Sequence, residues 1–417
     1  MTQANPGMVI VVGAGVAGLS TALHLRRLGV PATVIDPTPS PGGASYGNAG
    51  LLSADSVVPI ALPGMLRKVP GWLNDPLGPL SVRPSYLLKA APWLMRWIRS
   101  GQIDRVRNIA VAMRTLHRNA FQDWKELLGD SLYRDLIRRT GQVQLWDTAG
   151  ETATAAVERN LREIHGIESQ VLGPDDIRQI FPGIARDVER GVLIPGNGHT
   201  VSPARLVRTL SELFLEEGGL IVPERAMKLI PEANGGWMVL TNVGNHRAEK
   251  IIVAAGAWSG QLLKPLGIKL PLETERGYHA MLPEPSISLK LPILHKSRGF
   301  GMTQMEDGIR VAGTVEIAGL DAPPDERRAR ILEDHARKLF PQMESGKARL
   351  WMGFRPSTPD SLPMLGPVAG HKGLFTCFGH GHYGMTGGPP SGKLVAHLVA
   401  GRPPTIDPTP YSSARFG

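Results

Sequence analysis

The chain has 417 residues, 42% hydrophobic and 20% charged, too long for one small domain and suited to two interlocked ones with a large core. Lys and Arg (46) outnumber Asp and Glu (37) for a net charge of +9, yet no zinc-finger spacing, aromatic–basic RNA motif or arginine-rich tail accompanies the excess, so nucleic acid is not an expected partner. The single cysteine, Cys377, excludes an internal disulfide and reads as a plain core residue.

Residues 8–12 are a short apolar run that predicts a buried strand. Gly13-Ala14-Gly15-Val16-Ala17-Gly18 follows, and Leu19, Ala22, Leu23 and Leu25 then recur at helical spacing. Residues 32–35 predict a second strand ending on Asp36. In this strand–helix–strand context Gly13 permits the tight turn, Gly15 lets the backbone approach a pyrophosphate, and Gly18 lets helix and strand pack closely. The free N–H groups of the helix start suit phosphate, and Asp36 suits ribose hydroxyls. The motif predicts a dinucleotide without separating FAD from NAD. Residues 8–25 are long and uncharged enough to be scored as a membrane span, but three glycines at fixed spacing, Ser20 and Thr21 argue against one. The motif begins so early that no secretory signal is expected, and the expected location is cytoplasmic.

Residues 41–50 are rich in glycine and poor in helix signal, and residues 57–100 are rich in Pro, Trp, Leu and Arg. Residues 103–128 predict one long amphipathic helix, 172–181 a short helix, 203–217 a helix and 220–222 a strand. Residues 227–241 predict a hairpin turning at Asn234-Gly235-Gly236. Residues 250–255 predict a buried strand that runs into Gly256, where the chain can approach the same dinucleotide. Strands of an antiparallel sheet are expected over 270–281 and 308–315, a helix over 326–339, a strand over 373–377 and a closing helix over 391–400.

Nucleotide-type segments therefore stand at the start, middle and end of the chain. The expected fold class is α/β: a Rossmann-type nucleotide domain assembled from residues 1–55, 200–262 and 345–417, and an α+β substrate domain with an antiparallel sheet from residues 56–199 and 263–344. A typical NAD dehydrogenase keeps its nucleotide unit contiguous, which counts against that class.

The candidate site residues follow from this organisation. Arg355 is the candidate anchor for a substrate carboxylate, because a guanidinium stays charged and pairs with both oxygens. The glycine-rich run Gly379 to Gly392 implies unusual backbone angles or close ligand contact, and the helix after it could face the pyrimidine edge of a flavin. Tyr278, His279, His382 and Tyr383 are the further pocket candidates. His380 and His382 alternate without acidic or cysteine neighbours, so no metal site is expected.

Together these segments resemble the FAD-dependent amino-acid oxidoreductases related to D-amino acid oxidase, most closely the bacterial D-amino acid dehydrogenases. The likeness rests on Gly13–Gly18 with Asp36, on Ala44-Ser45-Tyr46-Gly47-Asn48-Ala49-Gly50 and on Ala255-Gly256-Ala257-Trp258-Ser259. It continues through Gly353-Phe354-Arg355-Pro356 with Pro359-Asp360, and ends at Gly379-His380-Gly381 before Gly384. It spans nearly the whole chain in the family's order. The resemblance implies FAD held by Gly13, Ala14, Gly15, Val16, Ala17, Gly18 and Asp36, with Ser45, Asn48, Ala49, Gly50 and Leu51 near the flavin ring. It adds Ala255, Gly256 and Trp258 from the middle of the chain, and Gly381, His382, Tyr383, Gly384, Met385 and Thr386 from its end.

It further implies Arg355 on the substrate carboxylate, oxidation at the alpha carbon, and non-covalent FAD, since no equivalent of the flavin-tethering cysteine of the sarcosine oxidase branch is found. His382-Tyr383 departs from the commonest dehydrogenase pattern, which keeps cyclic imino acids such as D-proline or D-hydroxyproline among the expected substrates. An oxidase of glycine or sarcosine and a non-catalytic flavin-binding subunit are the alternatives. The electron acceptor is left open between quinone, oxygen and protein. The basic, apolar stretch 59–98 is expected to touch the inner face of the cell membrane or a partner chain.

Overall fold

Four apolar residues, Val9–Val12, form strand β1 and are buried on both faces. In the computed structural model, which describes residues 7–38, 43–64, 77–233 and 235–416, Val9 and Val11 enter one core and Ile10 and Val12 another. Alternate side chains of a strand point to opposite faces, so a strand covered on both sides must be apolar throughout. Helix α1 (Val16–Arg27) and β2 (Ala32–Ile35) follow. Further on come helices α2 (Ile103–His117) and α3 (Ala120–Leu136). Strand β3 (Lys250–Val253) precedes three long strands, β4 (Glu273–Leu282), β5 (Gly308–Ile317) and β6 (Arg349–Ser357). Strand β7 (Leu374–Phe378) and helix α4 (Gly384–Val399) complete the frame of the site.

Among the described residues six strands form one sheet, in the order Leu220–Val222, β2, β1, β3, β7, Met364–Pro367, parallel except for the last. The three glycine-bearing segments that lie far apart in sequence follow β1, β3 and β7. These strands are neighbours and parallel, so the three segments emerge at one edge, the edge where ligands bind in open α/β sheets.

A second sheet, of nine strands among the described residues, runs β6, β4, β5, Phe300–Met305, Ile293–His295, Gln142–Trp146, Arg190–Ile194, Gln170–Leu172, with Leu80–Val82 paired to β5 outside this path. Helix Arg327–Leu339 covers one of its faces, packing Leu332, Ala336 and Leu339 with Tyr278, Ala280 and Leu282.

Several expectations need correction. The single helix over 103–128 is two helices, α2 and α3, with a further break at Gly129 (φ 73°). Both apolar stripes must reach α1 and α4, and one straight helix over residues 103–136 would run about 50 Å and carry half of them into solvent. Met113, Leu116, Trp124 and Leu127 lie in the core built on α1 and α4. This part of 56–199 therefore packs beside the parallel sheet, while β6, within 345–417, belongs to the nine-stranded, mostly antiparallel one. The hairpin at 227–241 forms, but Asn234 of its turn lies outside the described residues. A third strand, Asn245–Ala248, joins it, polar enough to carry no apolar signal. Residues 41–42 of the glycine-rich stretch and 65–76 of the apolar stretch also lie outside the described residues, and a short helix spans Gly43–Tyr46.

The closing helix begins at Gly384, not at 391. Pro389 and Pro390 lie inside it, where each removes an N–H from the helical ladder. The freed carbonyl of Met385 instead accepts a hydrogen bond from Trp124 Nε1 at 2.9 Å. Added Cβ atoms on Gly388 and Gly392 would come within 3.0 Å of the Val16 side chain and 2.7 Å of the Thr21 nitrogen. These glycines serve close packing of α4 on α1, and a Gly- and Pro-rich string was not legible as a helix.

Candidate active site

The loop after β1 is shaped by contacts that only glycine permits. Gly13 has φ 116°, and a Cβ there would overlap the Ala254 carbonyl, just beyond β3; a Cβ on Gly18 would overlap the Gly13 carbonyl. A Cβ on Gly15 would meet only Ser45 Oγ, at 3.3 Å, so its outer side is open. Helix α1 starts there with no side-chain cap and no acidic residue in its first turn, which leaves a partial positive charge facing the opening. The Asp36 carboxylate accepts from the Ala14 amide at 2.8 Å and the Thr38 amide at 2.9 Å. It thereby braces the glycine turn and still offers lone pairs to a hydroxyl. This cradle fits the pyrophosphate and ribose of a dinucleotide.

A cavity of about 1070 Å³ runs from this cradle to β6. All the expected site residues line it except Gly18, Gly50 and His279. Gly256 (φ 54°) and Gly381 (φ 51°) turn the chain out of β3 and β7 toward it in left-handed backbone. Trp258 meets Phe354 edge-on, with ring centroids 5.4 Å apart. Met385 and Thr386 bring the start of α4 to the cavity, where Thr386 Oγ1 accepts from the Ser53 amide at 2.9 Å. Like α1, α4 opens without a side-chain cap or an acidic residue.

The 45–51 stretch bridges the two sheets. Ser45 Oγ accepts from the Val16 amide at 3.1 Å, and Asn48 Oδ1 from the Gly50 amide at 2.8 Å. Arg310 of β5 donates to the carbonyls of Tyr46 and Asn48, at 3.1 and 2.7 Å. His279 donates from Nδ1 to the Gly47 carbonyl at 3.0 Å and stacks on Trp351 at 5.0 Å. Its burial, helped by the nearby charge of Arg310, lowers it to about 3, so it is a neutral brace for this loop. Arg310 and Trp351 went unnoticed in the sequence because nothing local marks a strand residue that clamps a loop some 260 positions away.

Tyr278 borders the cavity, but its hydroxyl donates to Glu316 at 2.6 Å and accepts from the Asp325 amide at 3.1 Å. Burial, with the Glu316 carboxylate beside it, pushes it up to about 12. Tyr383 donates to the Val58 carbonyl at 2.8 Å and packs on His117, and burial pushes it up to about 12. Both tyrosines are thus committed to structure. His380 and His382 diverge: the first is buried against Ser391 Oγ at 2.9 Å, the second reaches Glu275 Oε2 at 2.7 Å.

Arg355 is half-buried at the cavity wall, and Nη1 donates to the Thr314 carbonyl at 3.3 Å. Thr314 itself has φ 53° and an unpartnered buried hydroxyl, a strained backbone of the kind that collects at sites. Glu275, unnoticed in the sequence, stands directly opposite Arg355 in the β4–β6 ladder. Burial alone would raise the Glu275 carboxyl, but His382 and Arg355 outweigh it and hold it below the usual range. The cavity is also lined by Thr154, Glu158 and Arg162, one stripe of helix Ala153–Ile164 at a spacing of four.

The sequence profile of the FAD dependent oxidoreductase family matches residues 8–398. A D-amino-acid oxidase of Bradyrhizobium diazoefficiens is 39% identical over 416 residues, 98% of each chain. A D-amino acid dehydrogenase of Xylella fastidiosa (strain M23) is 30% identical over 406 residues, 95% of this chain and 92% of that one. Among solved structures, glycine oxidase from Geobacillus kaustophilus shares the fold with a TM-score of 0.73 at 22% identity, covering 98% of both chains. L-proline dehydrogenase from P. horikoshii does so with a TM-score of 0.75 at 18% identity, covering 99% and 98%. With the glycine cradle, the convergent strand ends and a match across nearly its whole length, the chain belongs to the FAD dependent oxidoreductase family.

Proposed function

We propose that this enzyme oxidises a D-amino acid at its alpha carbon, giving an imine that hydrolyses to a 2-oxo acid. The observation that carries the reading is Arg355: a guanidinium on the wall of the same cavity that the dinucleotide cradle lines. The names of the two relatives, 39% and 30% identical, support it.

FAD, when bound, supplies the redox chemistry by accepting the two electrons and hydrogen that leave the alpha carbon. The Gly13–Gly15 turn and the start of α1 would hold its pyrophosphate, Asp36 its ribose, and the start of α4 its pyrimidine edge. The chain's first task is orientation. Arg355 fixes the carboxylate by paired charge-assisted hydrogen bonds, and Thr314 and Gly277 hold Arg355 in place. The test is anaerobic bleaching of the flavin by a panel of D- and L-amino acids, with D-proline, D-hydroxyproline, glycine and sarcosine included. Bleaching by D-amino acids is expected. Bleaching by glycine or sarcosine with peroxide release would move the substrate to that class, and a yellow protein that no amine bleaches would make it a non-catalytic flavin carrier.

A peripheral contact with an anionic membrane belongs to the same proposal. Among the described residues no helix is long and apolar enough to cross a bilayer. Helix Leu87–Ser100, however, buries Trp93 and Trp97 and presents Leu88 (89% exposed) and Met95 (54%) beside the exposed Lys89 and Arg96. An apolar face flanked by cations suits a headgroup layer. Co-flotation with anionic but not neutral vesicles would support it; no flotation with either would remove it.

A further inference from the structure

Hydride departure from an amino acid needs the nitrogen lone pair, and at neutral pH that lone pair carries a proton. A group beside the carboxylate anchor can accept it, which lets the zwitterion react without first losing its proton to water. Tyr278, Tyr383, His279 and His380 are unsuited: the two tyrosine hydroxyls donate within the protein, His380 is buried and lowered to about 3, which makes it a poor base, and His279 lies outside the cavity lining.

His382 differs. It lines the cavity in the turn Gly381–Tyr383, with 32% of its side chain exposed, and its Nε2 meets Glu275 Oε2 at 2.7 Å. Glu275 is buried and stands opposite Arg355 in the strand ladder. An ionised carboxylate only accepts, so Nε2 must carry the hydrogen, and a neutral His382 then keeps its Nδ1 lone pair free. Among the described residues the His382 ring hydrogen-bonds through Nε2, to Glu275.

We propose that His382 is the base that takes the ammonium proton of the bound amino acid, with Glu275 as its positioning residue. The inference rests on the amino-acid reading above. An N–H bond of the ammonium breaks, an H–Nδ1 bond forms, and the pair becomes imidazolium and carboxylate with no change in total charge. The freed amine lone pair then forms the C=N bond as the alpha hydrogen leaves with its electron pair for the flavin. The proton stays on His382 until product leaves and is then released to water.

The groups facing His382 agree with this division. From the sheet these are Glu275 and Arg355; from its own turn, His380 and Tyr383; behind Tyr383, His117 of α2. Burial lowers His117 to about 4, and burial with His117 beside it lowers His380 to about 3. Both are neutral at pH 7, as is Tyr383. The carboxylate and guanidinium that flank His382 are therefore Glu275 and Arg355. A cavity of about 10 Å³, room for about one water, is lined by Trp97, Glu275 and His382.

The test uses flavin-loaded wild type, H382Q and E275Q. In H382Q the rate of flavin reduction at pH 7 should fall about 100-fold, the low end for loss of a general base. The deficit should close as pH rises through the substrate's own amine pKa. E275Q keeps an acceptor for Nε2–H but lacks the charge, and should show a smaller loss with the same recovery. A second readout needs no turnover: 15N spectra of histidine-labelled protein should show His382, assigned by its absence in H382Q, as the Nε2–H tautomer, and E275Q should alter that signal. Flavin content checks folding. If wild type is bleached but both variants keep its pH dependence, or His382 is the Nδ1–H tautomer, the base assignment is wrong. If no amino acid bleaches wild type, the amino-acid reading itself fails.

Discussion

The guanidinium of Arg355 lies across the face of Gly277, where any Cβ would collide with it. A glycine in a long strand weakens the strand, and here its missing side chain makes the bed for Arg355, the proposed carboxylate anchor. Arg355→Leu should therefore raise KM for carboxylate substrates roughly 10- to 150-fold, from loss of a charge-assisted pair of about 1.5–3 kcal/mol. Gly277→Ala should raise KM in the same direction with stability little changed, because the colliding atoms are the movable end of a side chain. Steady-state kinetics on both variants check this, and an unchanged KM in R355L removes Arg355 from the site.

Trp124 repairs the ladder that Pro389 opens. Trp124→Phe leaves the Met385 carbonyl buried and unpaired, which should cost about 1–3 kcal/mol in denaturant unfolding. A loss below a few tenths of a kcal/mol would mean that the carbonyl finds another donor.

Gly392 sets how closely α4 approaches α1. A Cβ there meets backbone, the Thr21 nitrogen at 2.7 Å and the Ser20 carbonyl carbon at 2.8 Å, which cannot swing aside. Gly392→Ala should destabilise by about 1–3 kcal/mol and lower flavin retention, since both helix starts face the cofactor cradle. Normal flavin content with an unchanged melting temperature would contradict this packing account.

Acid should destabilise the fold through its buried histidines. His117 and His380 are lowered to about 4 and about 3, mainly by burial, against an ordinary 6.5. The unfolded chain thus binds protons that the folded one refuses. Stability is full above pH 6.5 and is lost as pH falls, by about 1.4 kcal/mol per pH unit for each histidine, until the folded groups protonate near pH 3–4. Melting curves from pH 7 to 5 should show this, with a shallower slope in His380→Gln. Equal slopes would place the acid sensitivity elsewhere.

Cys377 is buried in β7, and burial pushes its thiol up to about 12. Native protein should resist maleimide labelling at pH 7.5, while unfolded protein should take up one equivalent. Fast labelling of the native state would show that this strand opens.

The glycine turn, the buried strands and the chain order of the nucleotide segments were legible because each rests on neighbours in sequence: strand and helix periods, or a glycine placed just after a strand. Arg355, the proposed anchor, was reachable by analogy with a family pattern. Glu275, Arg310, Thr314 and Trp351 were not, since each acts on residues distant in the chain and lies in an ordinary-looking strand. The start of α4 was misread for the same reason: Trp124 and α1, not local propensity, allow a helix through two prolines and four glycines.

Backbone geometry and apolar period are short-range properties, so the residue string alone was enough to specify a dinucleotide cradle and its parallel strands. Which charges meet across the cavity depends on ladder register and on loops folding back between sheets. Only the assembled fold could pair Glu275 with both Arg355 and His382, because electrostatic contacts act through space and leave no trace in sequence spacing.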